Sequence, residues 1–497
     1  MDKTDLRRFH IPQSTLGWNG DDGTADEPHA LSMRADAMTA SPRRIAVIGA
    51  GVSGALTAVH LTRLDPAGVR VTLFERADRQ ARGVAYETRE PGHLLNVRAA
   101  NMSAFSDAPH HFEAWIDEHP RLYGEIQRTA SGDFVSREIY GRYLEDILRN
   151  ACLDERGACI GLRQADVRSI ERDGEGFALT DGEGRRDRYD DVVLAMGNVS
   201  DAAEESGPVF RNPWTPQAVR DLDPDRPVVI LGSGLTMIDT VIALRRRGYA
   251  GQIIVMSRRG LLPHPHAVAS AVALPALQGR ETTHLSHLLR RLRREAKAAG
   301  ADWRAVVDAL RPVTQSLWQG LGPDAQARFL RHARTFWDTH RHRIAPPVAG
   351  VIADELKGGG IRLAPGRVQA VQNEIAGGGV TVAYRPRGGG TQLAISAQRL
   401  IIATGVPELS RSRDALVKSL IASGLARLDP LGLGLDADRS LGVRNAAGRR
   451  EGGLWALGPI VRGVFWECTA VPDIRVQAAE LARAILRQPA IRLVSSL

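Results

Sequence analysis

The chain of 497 residues is too long for one ordinary hydrophobic core, so its length predicts two or three domains. Hydrophobic residues make up 43% of it, but no run approaches the ~20 apolar residues that a membrane-spanning helix needs. The first residues, MDKTDLRRFHIPQ, lack the apolar core of a secretory signal. Together these features predict a cytoplasmic protein that does not enter a membrane.

The net charge of +8 comes mainly from arginines that are scattered along the chain, with no basic stripe interleaved with aromatic residues. This distribution argues against a nucleic-acid-binding protein. Cys152, Cys159 and Cys468 have neither zinc-site nor redox-pair spacing, so we expect free thiols. The histidines of "PHPH" and "HRHR" have no carboxylate or cysteine at ligand spacing, so we expect no metal site.

A glycine turn follows the first predicted strand, in "RRIAVIGAGVSGALTAVHL". Gly49 allows a tight turn, Gly51 lets the backbone approach a pyrophosphate, and Gly54 lets the helix pack close to the strand. The helix is predicted from about Val52 to Leu64, and its free N–H groups would face the phosphates, with Ser53 beside them. Because the turn stands between a strand and a helix, it predicts a dinucleotide site.

A second strand, turn and helix follow in "RPVVILGSGLTMIDTVIAL". This turn has Gly232 and Gly234, but Met237 stands where the third glycine would be. The second turn is therefore a variant of the first, and one chain carries two dinucleotide sites.

The residues that end the next strand differ between the two units. After the first turn this residue is Glu75, whose carboxylate can accept hydrogen bonds from both ribose hydroxyls. After the second turn it is Arg258, followed by Arg259. A guanidinium binds a 2′-phosphate that a carboxylate would repel. The first turn thus predicts FAD, and the second predicts NADPH, with NADH as the alternative.

The order of the elements predicts an α/β fold with two Rossmann-like dinucleotide-binding domains, a discontinuous FAD domain and an NAD(P) domain that carries a helical insertion. A terminal helix is predicted to be capped by Pro472 and Asp473. The predicted segments are a disordered tail (1–42), the FAD domain (43–212 and 411–497), the NAD(P) domain (213–267 and 346–410) and the insertion (268–345).

Several long stretches resemble the bacterial FAD/NAD(P)-binding proteins, a family with the two-dinucleotide-binding-domain flavoprotein fold. They are "IGAGVSG", "GVAYETREPGHLLNVRAANMSAF", "FVSREIYGRYLEDIL", "LGSGLTMIDTV", "MSRRGLLP", "FWDTHRHRIAP" and "GVFWECTAVPDIRVQAA", and they span nearly the whole chain after residue 42. The resemblance implies a single-component flavin monooxygenase. Members of this kind include an FAD-dependent urate hydroxylase, and more distant relatives hydroxylate the nitrogen of amines and amino acids.

The resemblance also implies further cofactor contacts. Gly197 in "VVLAMGN" and Gly405 in "LIIATGVPE" end the strands at which such chains cross between domains. Gly458 in "LWALGPI" lies in the last flavin-domain strand region. The helix that begins near Pro472 and Asp473 would point its positive end at the flavin pyrimidine and stabilise negative charge on the reduced flavin.

The resulting hypothesis is a monooxygenase in which NADPH reduces FAD, O2 adds to form a C4a-hydroperoxyflavin, and a small nitrogen-containing substrate is hydroxylated. The substrate would be urate, a related purine, an amine or an amino acid. One alternative is an NAD(P)H-dependent flavin oxidoreductase that passes electrons to a quinone or a protein partner. Another is a redox sensor or assembly factor without turnover. The sequence does not indicate an oligomeric state.

The predicted flavin and substrate pocket draws on polar and aromatic side chains from three stretches, and each of them could instead be structural. The residues predicted to be catalytic are His93, Asn96, Trp466, Glu467 and Thr469. The residues predicted to contact the substrate are Arg137, Tyr140, Arg341 and His342.

Overall fold

The computed structural model describes residues 41–488, apart from 79, 154–158, 200–206, 274–275, 299, 301 and 375–377. The predicted tail therefore lies outside the described residues, except for Ser41 and Pro42. The described chain alternates strands and helices, as an α/β fold requires.

Eighteen strands are present in the described residues. They are β1 (Arg43–Ile48), β2 (Val69–Glu75), β3 (Gln127–Thr129), β4 (Gly132–Phe134), β5 (Cys159–Gln164), β6 (Val167–Asp173), β7 (Gly176–Asp181), β8 (Arg186–Tyr189), β9 (Asp191–Leu194), β10 (Val209–Phe210), β11 (Val228–Leu231), β12 (Ile253–Ser257), β13 (Ile361–Asn373), β14 (Val380–Pro386), β15 (Leu393–Ala397), β16 (Arg399–Ile402), β17 (Gly442–Arg444) and β18 (Arg450–Ala456).

The helices of the same residues fall before, between and after the strands. They are α1 (Val52–Leu64), α2 (Gly83–Tyr86), α3 (His111–Asp117), α4 (Arg137–Cys152), α5 (Leu235–Arg246), α6 (Arg280–Thr283), α7 (Leu285–Ala298), α8 (Trp303–Ala309), α9 (Thr314–Gly320), α10 (Pro323–Arg328), α11 (Arg334–Arg341), α12 (Pro346–Lys357), α13 (Ala415–Ala422) and α14 (Val471–Arg487). A π-helical turn, Phe329–Ala333, joins α10 to α11.

The first large sheet has the strand order β17-β18-β9-β1-β2-β5. Its strands are parallel except for the antiparallel pair β17 and β18. The strands β1 and β9 are buried on both faces, which explains their continuous apolar runs. The crevice at the carboxyl ends of β1 and β9 is where open parallel sheets bind their ligands.

The second large sheet has the order β10-β16-β11-β12-β13-β14-β15. It is parallel from β10 to β13 and antiparallel from β13 to β15. The chain leaves the first sheet after β9, forms the whole second sheet, and returns with β17 and β18. A smaller antiparallel sheet of β6, β7 and β8 lies between β5 and β9 in the sequence.

The predicted fold class is confirmed by these two sheets. The helix predicted over Val52–Leu64 has those bounds, and helices fill most of the chain between β12 and β13. The predicted cap of the terminal helix is wrong: the N-cap is Ala470, which offers no side-chain acceptor, and Pro472 and Asp473 lie inside the first turn. The domain boundaries stay predictions. In the part of the chain that is described, no helix has the length and apolarity to cross a bilayer.

Candidate active site

The first glycine turn is built so tightly that side chains are excluded from it. Gly49 has a φ of +102°, and a Cβ there would lie 2.4 Å from the Ala195 carbonyl oxygen. A Cβ on Gly54 would lie 1.8 Å from the Gly49 oxygen. Gly51 is the N-cap of α1, and neither a side-chain cap nor an acid in the first turn blocks this helix end. The turn therefore leaves free N–H groups for a pyrophosphate.

Glu75 is held at the mouth of this turn. Its two carboxylate oxygens accept hydrogen bonds from the backbone N–H groups of Ala50 and Ala77, each 3.1 Å long. This fixes an acceptor at the end of β2, where the ribose of a dinucleotide is expected.

The second turn repeats this geometry. Gly232 has a φ of +120°, and a Cβ there would lie 2.1 Å from the Ala403 carbonyl oxygen. Gly234 is the uncapped N-cap of α5, and a Cβ on it would meet nothing within 4 Å. Met237, at the third glycine position, is 1% exposed and packs in the core of the second sheet.

Arg258 borders a cavity of about 350 Å³ at the end of β12. Arginines 367, 385 and 387, from β13, β14 and the residue that follows β14, share the lining, which contains no carboxylate. Sequence reasoning missed these three because they lie more than a hundred residues downstream, on a hairpin that reaches Arg258 only through the pairing of β12 with β13. Their charge suits a phosphate.

The neighbouring Arg259 points elsewhere. Its guanidinium lies 4.5 Å from the ring centroid of Phe336 on α11, and its carbonyl accepts a hydrogen bond from Arg387. The two arginines that were predicted together thus face different surroundings.

The C-terminal segment meets the first turn at Gly458. This residue has a φ of +75°, and a Cβ there would lie 2.6 Å from Ser53 Oγ. Its N–H donates to Gln477 on α14 over 3.3 Å, and its carbonyl accepts from Cys468 Sγ at 3.0 Å. Burial raises the pKa of Cys468, so this side chain is a thiol and not a thiolate.

Glu467 and Arg341 are brought together, although they are distant in sequence. Glu467 is 9% exposed and has a φ of +65°, a strained conformation for a residue with a side chain. Its oxygens accept from Trp337 Nε1 at 2.6 Å and from Arg341 Nε at 2.9 Å. The insertion is thereby fastened to the segment that precedes α14.

An aromatic cluster adjoins this ion pair. Trp466 stacks on Trp318 with ring centroids 4.8 Å apart and meets Phe329 edge-on at 5.5 Å. The Trp466 Nε1 atom is buried and finds no acceptor among the described residues. Thr469 is exposed.

The start of α14 is also tied to the insertion. Arg311 Nη2 lies 3.5 Å from Asp473 Oδ2, and burial raises the pKa of Asp473 while Arg311 opposes the increase. His342 lies at the end of α11, with its Nδ1 3.8 Å from Asp338 Oδ1. Asp473 thus lies close to the insertion and feels the charge of Glu467.

His93 and Arg137 lie where the loop before α4 meets α5 of the second unit. The His93 ring nitrogens are 2.9 Å from Thr88 Oγ1 and from the Asp239 carbonyl oxygen, and burial lowers the pKa of His93. Arg137 Nη2 lies 2.8 Å from Asp239 Oδ2 in a buried ion pair. With these partners both side chains join the two units, and their catalytic and substrate roles stay predictions.

Tyr140 and Asn96 have other partners than Glu467, Trp337 and Arg341. Tyr140 is fully buried against Tyr86, and its hydroxyl finds no partner in the described chain. Burial raises the pKa of Tyr140. The Asn96 carbonyl accepts from His266 Nε2 at 2.9 Å. No group of three histidine, cysteine or acidic side chains among the described residues could hold a metal ion.

A larger cavity, of about 1330 Å³, is lined by residues that follow β2, β10 and β16 and by residues of the insertion. Its wall includes Arg76, which follows Glu75, and Gly405, which has a φ of +87° with open space around it. Gly197 has the same kind of conformation after β9, with a φ of +64°, and a Cβ there would meet no described atom within 4 Å.

Residues 46–199 match the model of the FAD-NAD(P)-binding family. A flavin-containing monooxygenase from Aspergillus flavus is 27% identical over 169 residues, which are 31% of this chain and 36% of that protein. The chain thus spans about a third of the length of the curated relative that it matches.

Solved structures with the same fold cover nearly the whole chain. An ornithine N-hydroxylase from Kutzneria sp. 744 is 14% identical and has a TM-score of 0.58, covering 90% of this chain and 99% of its own. An L-lysine 6-monooxygenase from Pseudomonas syringae is 16% identical and has a TM-score of 0.61, covering 90% of this chain and 99% of its own. The FAD-bound cadaverine monooxygenase of Erwinia amylovora is 13% identical and has a TM-score of 0.61, covering 91% of this chain and 98% of its own. The chain therefore has the two-dinucleotide-binding flavoprotein fold, and its first unit matches the FAD-NAD(P)-binding family.

Proposed function

We propose that this protein is an FAD-dependent, NAD(P)H-using monooxygenase that hydroxylates a nitrogen of a small molecule. The observation that carries the proposal is the pairing of two glycine turns with opposite charges at their ribose ends. Glu75 stands at the first turn and Arg258 at the second. A chain with both sites can take electrons from a nicotinamide dinucleotide and pass them to a flavin.

The residues of the first turn fit FAD. Any Cβ on Gly49 or Gly54 would collide with backbone, and the end of α1 has no side-chain cap, so the backbone leaves a cradle for two phosphates. The residues of the second turn fit NADPH, because Arg258 and the three arginines that share its cavity offer donors to a 2′-phosphate.

The likeness to ornithine, lysine and cadaverine monooxygenases supports an amine or amino-acid substrate. Urate and related purines remain within the proposal, since they also carry nitrogen in a small, flat molecule. The buried thiol of Cys468 argues against a disulfide as the electron acceptor, because a neutral thiol that donates to Gly458 offers no thiol relay.

Bound FAD would supply the redox chemistry, in which NAD(P)H and O2 are consumed and one oxygen atom enters the substrate while the other leaves as water. The task of the protein is to position the reactants and to exclude water. Glu467, Trp337 and Arg341 hold the insertion against the segment before α14. In the first turn of α14, Pro472 has no N–H group and those of Asp473 and Ile474 already donate to the Ala470 carbonyl oxygen, so the Val471 N–H is the group left to face negative charge on the flavin.

The test is product formation by the purified FAD-loaded protein with NADPH, isotopically labelled O2 and a panel of amines, amino acids and purines. We expect one label per NADPH in the product of an accepted substrate. NADPH oxidation that yields only peroxide with every compound, together with rapid reduction of a quinone, would instead identify the reductase alternative.

A further inference from the structure

The cavity of about 1330 Å³ has an unbalanced charge. Seven of its lining side chains are arginines and three are carboxylates. Its walls come from the chain after Glu75, the small antiparallel sheet, the loop after β16 and the helices of the insertion. A positive potential inside a concave surface concentrates anions.

Each of the three carboxylates is already paired with an arginine of the same wall. Asp166 lies 2.8 Å from Arg168, and Glu408 lies 3.2 Å from Arg411. Asp414 lies 3.6 Å from Arg76. The wall acids are thus used by three of the arginines, and the described lining holds no fourth carboxylate for the remaining arginines.

The arginines that remain come from both sides of the cavity. Arg334 has Asp338 as its partner, and Arg413 has a partner as well. Arg211 follows β10 of the second sheet, and Arg331 lies in the π-helical turn of the insertion. Neither guanidinium makes an ion pair or hydrogen bond with a described residue. Both residues are exposed, so an anion that enters the cavity can reach their guanidinium groups.

The wall that carries Arg331 also touches the predicted flavin side. Phe329 in the same π-helical turn packs on Trp466, and the Arg334 guanidinium lies 5.7 Å from the Trp466 ring centroid. The chain then runs through Glu467 to Cys468, which bonds to Gly458 beside Ser53. A π-helical turn is rare and is often found at functional sites.

We propose that Arg211 and Arg331 bind the anionic group of the substrate, so that the substrate is a nitrogen compound that also carries a carboxylate. This proposal rests on the monooxygenase function proposed above. Neither arginine belongs to a glycine turn or to the cavity around Arg258, while Arg76, next to Glu75, and the predicted cofactor contact Gly405 border the same cavity. The ornithine and lysine of the similar enzymes carry such a group, whereas cadaverine does not.

The experiment uses two matched pairs that differ by the carboxylate alone, L-lysine with cadaverine and L-ornithine with putrescine. Their dissociation constants are measured by calorimetry on the FAD-loaded protein with NADP present. We expect the carboxylate member of at least one pair to bind about tenfold more tightly than its counterpart. If neither pair shows this preference, the proposal is wrong.

The variants Arg331→Ala and Arg211→Ala should each bring that ratio close to one, and Arg331→Lys should restore part of it. Arg328→Ala is the matched control, because Arg328 is an exposed arginine one turn earlier that does not line the cavity. Loss of FAD, or a weaker affinity for NADP, in the alanine variants would assign the arginines to a cofactor and overturn the proposal.

The calorimetric outcome is separable from the proposed function. A protein that prefers the carboxylate members but never oxygenates them keeps the anion site and loses the monooxygenase. A protein that oxygenates cadaverine and putrescine as well as the amino acids keeps the monooxygenase and loses the anion site.

Discussion

The two glycine turns share one backbone design and differ in the groups that surround it. In both, the first glycine N–H donates to the end of the next strand, to Phe74 in one case and Met256 in the other. In both, the first glycine lies against the carbonyl group of an alanine that directly follows the neighbouring strand. This alanine is Ala195 after β9 in the first turn and Ala403 after β16 in the second. The comparison shows that the backbone specifies a dinucleotide, whereas the side chains beyond it specify which one.

The largest difference we expect lies at the third position of each turn. Gly54→Ala would place a Cβ 1.8 Å from the Gly49 oxygen, so α1 must move away from β1 and FAD binding should be lost, or the fold with it. Met237→Ala at the equivalent position removes a buried side chain and should cost about 2–5 kcal/mol of stability while the second turn keeps its shape.

Flavin absorbance after gel filtration and the free energy of unfolding would measure both effects. Gly350→Ala is the control, because a Cβ there meets nothing within 4 Å. A Gly54→Ala protein that keeps its flavin at wild-type stability would contradict the packing argument.

The next difference lies at the ribose ends. Arg258→Ala should raise the KM for NADPH by about ten- to a hundredfold, because a charge-assisted contact to the 2′-phosphate is lost, and should change the KM for NADH little. Steady-state kinetics with both nucleotides give the ratio. Arg362→Ala, an exposed arginine on β13 outside this cavity, is the control. Equal changes for the two nucleotides would remove Arg258 from the phosphate site.

The two helices that follow the turns differ in a buried titratable group. His60 on α1 is 6% exposed with no partner for Nε2 in the described chain, and the equivalent position on α5 is the buried Ala243. Burial, followed by the charge of Arg63, lowers the pKa of His60 from 6.5 to about 4. The unfolded chain therefore binds a proton between pH 6.5 and 4 that the folded chain does not.

Stability that His60 contributes above pH 6.5 should thus be lost as the pH falls towards 4. His60→Leu should make the melting temperature less dependent on pH across this window, by an amount equivalent to roughly 1–3 kcal/mol. His110→Ala, at an exposed histidine, should leave that dependence as it is. An unchanged slope in the His60 variant would show that its imidazole titrates normally.

The elements that depend on a local sequence pattern could be predicted from the sequence. Contacts that depend on pairing between distant segments could not. The glycines and the acid or arginine after each turn have fixed spacing, so the two sheets and α1 could be predicted. The arginines around Arg258 could not, because only the β12–β13 pairing brings them there. The same holds for Glu467 and Arg341, and for the partner that His93 and Arg137 share, Asp239.

The smallest difference we expect separates the adjacent arginines of the second unit. The Arg259 guanidinium lies over Phe336, which is 48% exposed, and such a contact stabilises a surface by about 0.5–1 kcal/mol. Arg259→Ala should therefore lower the melting temperature slightly and leave the ratio of the KM values for NADPH and NADH near that of the wild type. Phe336→Ala should reproduce the small loss, and the double variant should add nothing to it. A ratio that shifts as far as in Arg258→Ala would mean that Arg259 leaves Phe336 to bind the phosphate, and that the second turn reads its nucleotide with both arginines.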